Sequence, residues 1–277
     1  MAVIGGVRGR LVLPALAAAV VGAVLAGCGA DDGIGSVPGA QPLAASSASS
    51  SALAEEWCSD LVAINLTEPD VPADADAATA DKIAQRWFDE ELLPLLDNVV
   101  SGAPPAAANA TATIGKIIKE GGLEALDDPA FLPAEAAVNE AAVPACGAQK
   151  ITITAADYAF HGAPDSLPTG LAVIRFIGGG GELHELMLLR KLPGTTQSFD
   201  ELLALPEEES AKLTEFVGGL FVTPDQTDTA VVDLPPGNYL MVSTVPIGLT
   251  PQAAESGVPP TGEPQFTRGM KHEFTVT

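Results

Sequence analysis

Lysine and arginine are scarce in this 277-residue chain: 13 of them stand against 36 Asp and Glu, for a formal net charge of −23. A phosphate backbone is bound by basic patches and none is visible, so nucleic acid is excluded as a partner class. The first consequence of so acidic a chain is solubility and repulsion from anionic surfaces, not a dedicated cation site. Histidine is rarer still, with only His161, His184 and His272, which limits both proton transfer near neutral pH and imidazole ligation of metals. There is no nucleophile elbow, no Gly-x-x-x-x-Gly-Lys and no His-Glu-x-x-His, and the four glycines 178–181 lead into an apolar strand rather than a helix. Glu182-x-His184-Glu185 is too short for a catalytic signature, because strand alternation puts Glu185 on the opposite face from His184. No enzymatic activity is expected.

Long apolar runs are also missing, apart from one between Leu11 and Val24 that follows Arg8 and Arg10. Its length and flanks fit a secretion signal over residues 1–27 better than a membrane span. It ends in Leu25-Ala26-Gly27-Cys28, which resembles a bacterial lipobox. That resemblance implies lipidation of Cys28 and anchorage to the extracytoplasmic face of the cell membrane; an ordinary cleaved signal with a chance cysteine is the alternative. Cysteine is scarce too, and with Cys28 spent on lipid only Cys58 and Cys146 remain. Outside the cytoplasm they are expected to pair, the other option being a reactive or metal-binding thiol pair with no further ligand nearby. Residues 28–52 hold Gly, Ser, Ala and Pro with almost no large apolar side chains, so they read as a disordered tether.

What is present falls into two halves. Over 53–147 the spacing is helical: Leu53, Trp57, Leu61 and Ile64 form one stripe, Ala84, Trp87, Phe88, Leu92, Leu95, Leu96 and Val99 a second, and Ile114, Ile117 and Ile118 a third. Pro104-Pro105 suits a helix start, Gly121-Gly122 a helix end, and Pro133 the first turn of a last helix through Val143. Four helices with short connections predict an antiparallel bundle, its ends stapled by a Cys58–Cys146 bond. No Glu-x-x-His accompanies the apolar stripes, so they read as core. Because the cysteines bracket only the helices, the two halves are expected to hold independent cores divided near Gly147.

From 150 to 277 the period changes to two, with β-branched segments such as "KITITAADYAF", "LAVIRFIG", "HELMLLRK", "AVVDL", "NYLMVSTV" and "HEFTVT" separated by Gly and Pro turns. These predict an all-β sandwich. One helical insertion is expected over Ser198 to Phe216, opened by Ser198 and Glu201 as a capping box. His161 reads as a turn residue.

Within this half, "GELHELML", then "PGNYLMV" followed by a long loop, then "GMKHEFTV" resemble the cupredoxin family, the blue-copper Greek-key sandwich. The resemblance covers residues 150–277 and implies a histidine ligand at His184 and the weak axial methionine at Met270. The expected cysteine, four residues after Tyr239, is Ser243. The expected second histidine is Gln265, with Gly248 as the competing match. A type 1 site needs a thiolate and two imidazoles, so no type 1 copper and no metal or other cofactor is expected. The reading is a lipid-anchored extracytoplasmic lipoprotein that reuses the fold to bind an envelope protein or ligand. The alternative is a copper-binding or electron-transfer protein using a residual site. Met270 and His272 are two apart on a strand and would share a side near His184, and copper(I) accepts thioether and imidazole. Ser243, with Met241 and Val245 on its strand face, is expected in a hydrogen-bonded or water-filled remnant pocket with His184, Gln265 and Met270. The helical half, opening on Trp57-Cys58 and closing on Cys146-Gly147, resembles the front half of actinobacterial secreted lipoproteins, which implies no chemistry.

Overall fold

A computed structural model describes residues 46–72, 75–156, 158–255 and 262–277. The expected leader, Cys28 and most of the expected tether lie outside them. Among the described residues five α-helices come first: α1 (Ser46–Leu66), α2 (Ala77–Trp87), α3 (Leu93–Ser101), α4 (Ala108–Gly121) and α5 (Phe131–Cys146). α2 and α3 form one rod joined by a π-helical turn, Phe88–Leu92, in which the Leu93 amide reaches back to Phe88 O. Pro94 accounts for the widening, since it lacks an N–H and its ring would press on the carbonyl four residues earlier. The bundle therefore has the four rods that the stripes predict.

Two boundaries differ from expectation. α1 begins at Ser46, inside the stretch read as a tether; once the packed turns near Trp57 have formed the helix, each further residue adds a hydrogen bond without a new nucleation cost, which carries it through serines that are only middling helix formers. α5 runs past Val143 to Cys146 with Pro144 inside it, and stops at Gly147 with φ +63°. Its last turn is held by the bond from Cys146 to Cys58, with Cα atoms 5.8 Å apart. Trp57 Nε1 donates to Val99 O at 3.1 Å, tying α1 to α3 across the core.

The second half is a two-sheet sandwich. Strands β1 (Gln149–Ala156), β2 (Ala159–His161), β4 (Gly170–Gly178) and β7 (Thr227–Leu234) form one sheet in the order β2-β1-β4-β7. Strands β3 (Ser166–Leu167), β5 (His184–Lys191), β6 (Thr214–Val222), β8 (Gly237–Val242) and β9 (Lys271–Val276) form the other in the order β3-β9-β8-β5-β6. Ile153, Ile174, Phe176, Leu186, Leu188, Val232, Tyr239 and Phe274 fill the space between them.

The expected helical insertion is shorter than Ser198 to Phe216. The capping box is real, with Glu201 N donating to Ser198 Oγ and Ser198 N to Glu201 Oε2, yet it opens only α6 (Phe199–Leu203), followed by α7 (Glu207–Ser210). Thr214–Phe216 belong to β6 and pair with Lys191, Arg190 and Leu189. Gly218 and Gly219 interrupt the period-two pattern of that strand; a Cβ on Gly218 would lie 2.9 Å from Val232 Cγ1, so the close packing of the sheets needs glycine there.

The core between the sheets belongs to the second half alone, but the helical core is completed by the first sheet. Val173 of β4 and Val231 of β7 are buried among the helices, while their strand neighbours Ala172, Ile174, Ala230 and Val232 are buried between the sheets. The first sheet is thus covered by helices where these valines stand, and residues 171–174 and 230–232 are short apolar runs rather than alternating ones. Asn139 Nδ2 donates to Thr229 O at 2.9 Å and Asn65 Nδ2 to Val231 O at 3.0 Å. These carbonyls lie two apart on β7, an end strand, so α1 and α5 cap its otherwise open edge.

Candidate functional site

His184, Ser243, Gln265 and Met270 converge at one end of the sandwich, each at most 3% exposed. β5 opens at His184, and Ser243 follows directly on the end of β8. A 3-10 turn, Gln265–Arg268, ends at Gly269 with φ +110° and sets Met270 at the head of β9. Backbone bonds lock these arms together: Ser243 N to Met270 O (3.1 Å), Phe266 N to Ser243 O (3.0 Å) and Gln265 N to Val245 O (2.8 Å).

Gln265 is the hub. Its Oε1 accepts from Ser243 Oγ at 2.9 Å and lies 3.0 Å from His184 Nδ1. Its Nε2 donates to Leu183 O at 2.9 Å and Glu182 Oε2 at 3.1 Å. Both Nε2 neighbours can only accept, which fixes the amide orientation and makes His184 Nδ1 a donor. The other ring nitrogen, Nε2, is 3.1 Å from Gly179 O. That contact requires the glycine loop to lie close: a Cβ on Gly179 would sit 2.9 Å from Ala155 O. Both imidazole nitrogens are therefore directed at protein oxygens, and Ser243, Gln265 and His184 Nδ1 are joined by hydrogen bonds.

Around this cluster stands Glu182, which the sequence reading named only to set aside as a catalytic signature. Glu182 accepts from Tyr158 Oη (2.7 Å), Gly248 N (3.0 Å) and Gln265 Nε2. Burial pushes its carboxyl up, but these bonds outweigh burial and hold it below the usual carboxylate range. Tyr158 reaches it from a backbone at φ +59°, and the bond to Glu182 raises the phenol above its ordinary value. Gly248, the competing match, meets the cluster only through its amide. No motif marks Glu182, because its partners lie far away in the chain.

Glu185 points away from the cluster, as alternation requires. Its Oε2 accepts from Thr244 Oγ1 (2.7 Å) and Thr244 N (3.1 Å). Burial raises its carboxyl, the Thr244 bonds oppose this and the charge of Glu68 adds to it; the net shift is upward.

His272 departs from expectation. Its Nε2 sits 3.0 Å from Pro164 O and 3.6 Å from Asp165 Oδ1, so the turn before β3 engages it rather than the cluster. His161 ends β2 and is exposed. Among the described residues, no group of three or more His, Cys, Asp or Glu is placed to hold a metal.

No family model matches this chain, and neither does any curated protein. Among solved structures it is similar to auracyanin from the photosynthetic bacterium Roseiflexus castenholzii, at 17% identity over 47% of this chain and 98% of that one, with a TM-score of 0.31. It is similar to auracyanin A, a blue copper protein of Chloroflexus aurantiacus, at 17% identity over 46% and 98%, TM-score 0.30. Rusticyanin follows at 14% identity over 46% and 78%, TM-score 0.27. Likenesses of this size carry nothing about function.

Proposed function

We propose that this chain is a lipid-anchored extracytoplasmic lipoprotein whose cupredoxin-like sandwich is a binding module for an envelope protein or ligand, without type 1 copper and without enzymatic activity. The observation that carries the reading is the closure of the Gln265 cluster upon itself. A type 1 copper centre does not fit these residues. Serine offers a hydroxyl where a thiolate is needed, glutamine a neutral amide where an imidazole is needed, and His184 has both nitrogens turned to protein oxygens. Cys58 and Cys146 are consumed in their own bond, so neither can supply the thiolate.

A cluster of this kind fixes the loops at the sandwich end without a metal, and rigid loops on a β-scaffold are a common means of presenting a binding surface. The anchor rests on the leader and on Cys28 in its lipobox-like setting. Two measurements test the proposal. Purified protein exposed to Cu(II), washed and analysed for metal should hold less than stoichiometric copper; stoichiometric copper that disappears in His184→Ala would favour the copper reading. In a bacterial host, Cys28→Ala should shift the protein from the membrane fraction to the soluble one, and unchanged fractionation would remove the anchor.

A further inference from the structure

An open cleft of about 480 Å³ lies where α1, the end of α5 and the first sheet meet. Cys58 and Cys146 line it together with the apolar Val62 and Leu171, and Glu55 and Asp233 stand on its walls. The two cysteines are unequally exposed: Cys58 is 5% exposed, whereas Cys146 is half-buried on the last helical turn. We propose that this cleft is a thiol–disulfide exchange site that admits neutral or cationic thiols to Cys146.

The chemistry follows from access, which decides which sulfur of a disulfide is attacked. An incoming thiolate attacks Cys146 Sγ, the bond to Cys58 breaks, and Cys58 leaves as a thiolate that takes a proton from water. A mixed disulfide remains on Cys146. When the reductant is a dithiol, its second thiolate attacks the reductant sulfur bound to Cys146, the bond to Cys146 Sγ breaks, Cys146 leaves as a thiolate that takes a proton, and the reductant departs as its own disulfide; two electrons pass to the cysteine pair. Glu55 and Asp233 select by charge: both are exposed acids at the cleft, so an anionic thiol is repelled and a cationic one attracted. The reduced protein keeps its fold through contacts that do not involve sulfur, such as Trp57 Nε1 to Val99 O and Asn65 Nδ2 to Val231 O. Reduction therefore leaves α1 tied to the helical layer and to the first sheet.

The test uses the intact, oxidised full-length protein under native conditions with cysteamine, 2-mercaptoethanol and 2-mercaptoethanesulfonate at equal thiolate concentration. After alkylation of free thiols, mass spectrometry locates the mixed disulfide. Exchange should be first order in thiol and place the adduct on Cys146. At low ionic strength, cysteamine should react about tenfold faster than the sulfonate, the scale of one or two charge contacts in water. Glu55→Gln combined with Asp233→Asn should bring that ratio most of the way to unity, while the distant pair Glu207→Gln and Glu208→Gln leaves it unchanged. A rate independent of thiol concentration means that exchange waits on unfolding, and overturns the site. So does an adduct predominantly on Cys58, or a rate ratio that the cleft pair does not alter.

Discussion

The helical layer and the loop end of the sandwich are each closed by one long-range tie, and the two ties differ in kind. Cys58 and Cys146, 88 residues apart, are joined covalently. At the loop end, Gln265 draws in His184 and Glu182 from 81 and 83 residues away by hydrogen bonds alone. A disulfide acts chiefly on the unfolded chain, whose entropy it restricts whatever the pH. A buried polar cluster acts only in the folded state and only when complete, since each partner left alone keeps its desolvation cost. At the loop end, one side-chain amide with two donors and an acceptor cross-links the segments that carry His184, Ser243 and Glu182.

The sharpest challenge is to remove the covalent tie. Cys58→Ser with Cys146→Ser should cost about 4–5 kcal/mol, the loop-entropy scale for a closed segment of this length. Because Val173 and Val231 belong to the helical core, both halves should unfold together. Denaturation followed by Trp57 and Trp87 fluorescence, which reports the helices, should coincide with far-UV circular dichroism. Separate midpoints would restore the picture of two independent cores.

Removing the polar hub ranks next. Gln265→Leu keeps the volume close but strands His184 Nδ1, Ser243 Oγ and Leu183 O, which should cost about 3 kcal/mol in urea unfolding. A cost under about 1 kcal/mol would mean that the cluster relaxes and does not act as a tie.

The smallest effects concern two neighbouring carboxylates with opposite signs. Glu182 is held below the usual range, so its contribution is present above the unfolded carboxylate value and is lost as pH falls through the folded one. The stability gap between the wild type and Glu182→Gln should accordingly close on acidification. Glu185 is raised, so its contribution is present below the unfolded value and is lost as pH rises through the folded one. Glu185→Gln should therefore gain on the wild type above that point. Parallel pH profiles for the two variants would contradict both assignments.

Much of this was legible in the residues. Helical stripes fixed which faces of α1 to α4 are buried, because a 3.6 period survives in "WCSDLVAI" and "AQRWFDEELL". Ser243, Gln265, His184 and Met270 could be brought together because three spaced segments carried their positions. What escaped notice depended on the third dimension. β6 was hidden by Gly218-Gly219, whose absent side chains are needed by the opposite sheet. That the helices rest on the first sheet was hinted at by the consecutive apolar residues 171–174 and 230–232, a pattern that signals a sheet covered on both faces. Glu182 could not be found locally, since Tyr158, Gly248 and Gln265 meet it only after the chain has folded. His272 shared a parity with Met270, but parity does not reveal that the turn carrying Pro164 captures it.

The central claim is that Ser243 and Gln265 occupy ligand positions and tie the loops without copper. Visible absorption of the wild type and of Ser243→Cys with Gln265→His, each given one equivalent of Cu(II), tests it directly. The wild type should stay colourless, while the double variant, with a thiolate and a second imidazole beside His184 and Met270, should develop an intense copper–thiolate charge-transfer band. A wild type that develops such a band, or a folded double variant that remains colourless, would contradict the account.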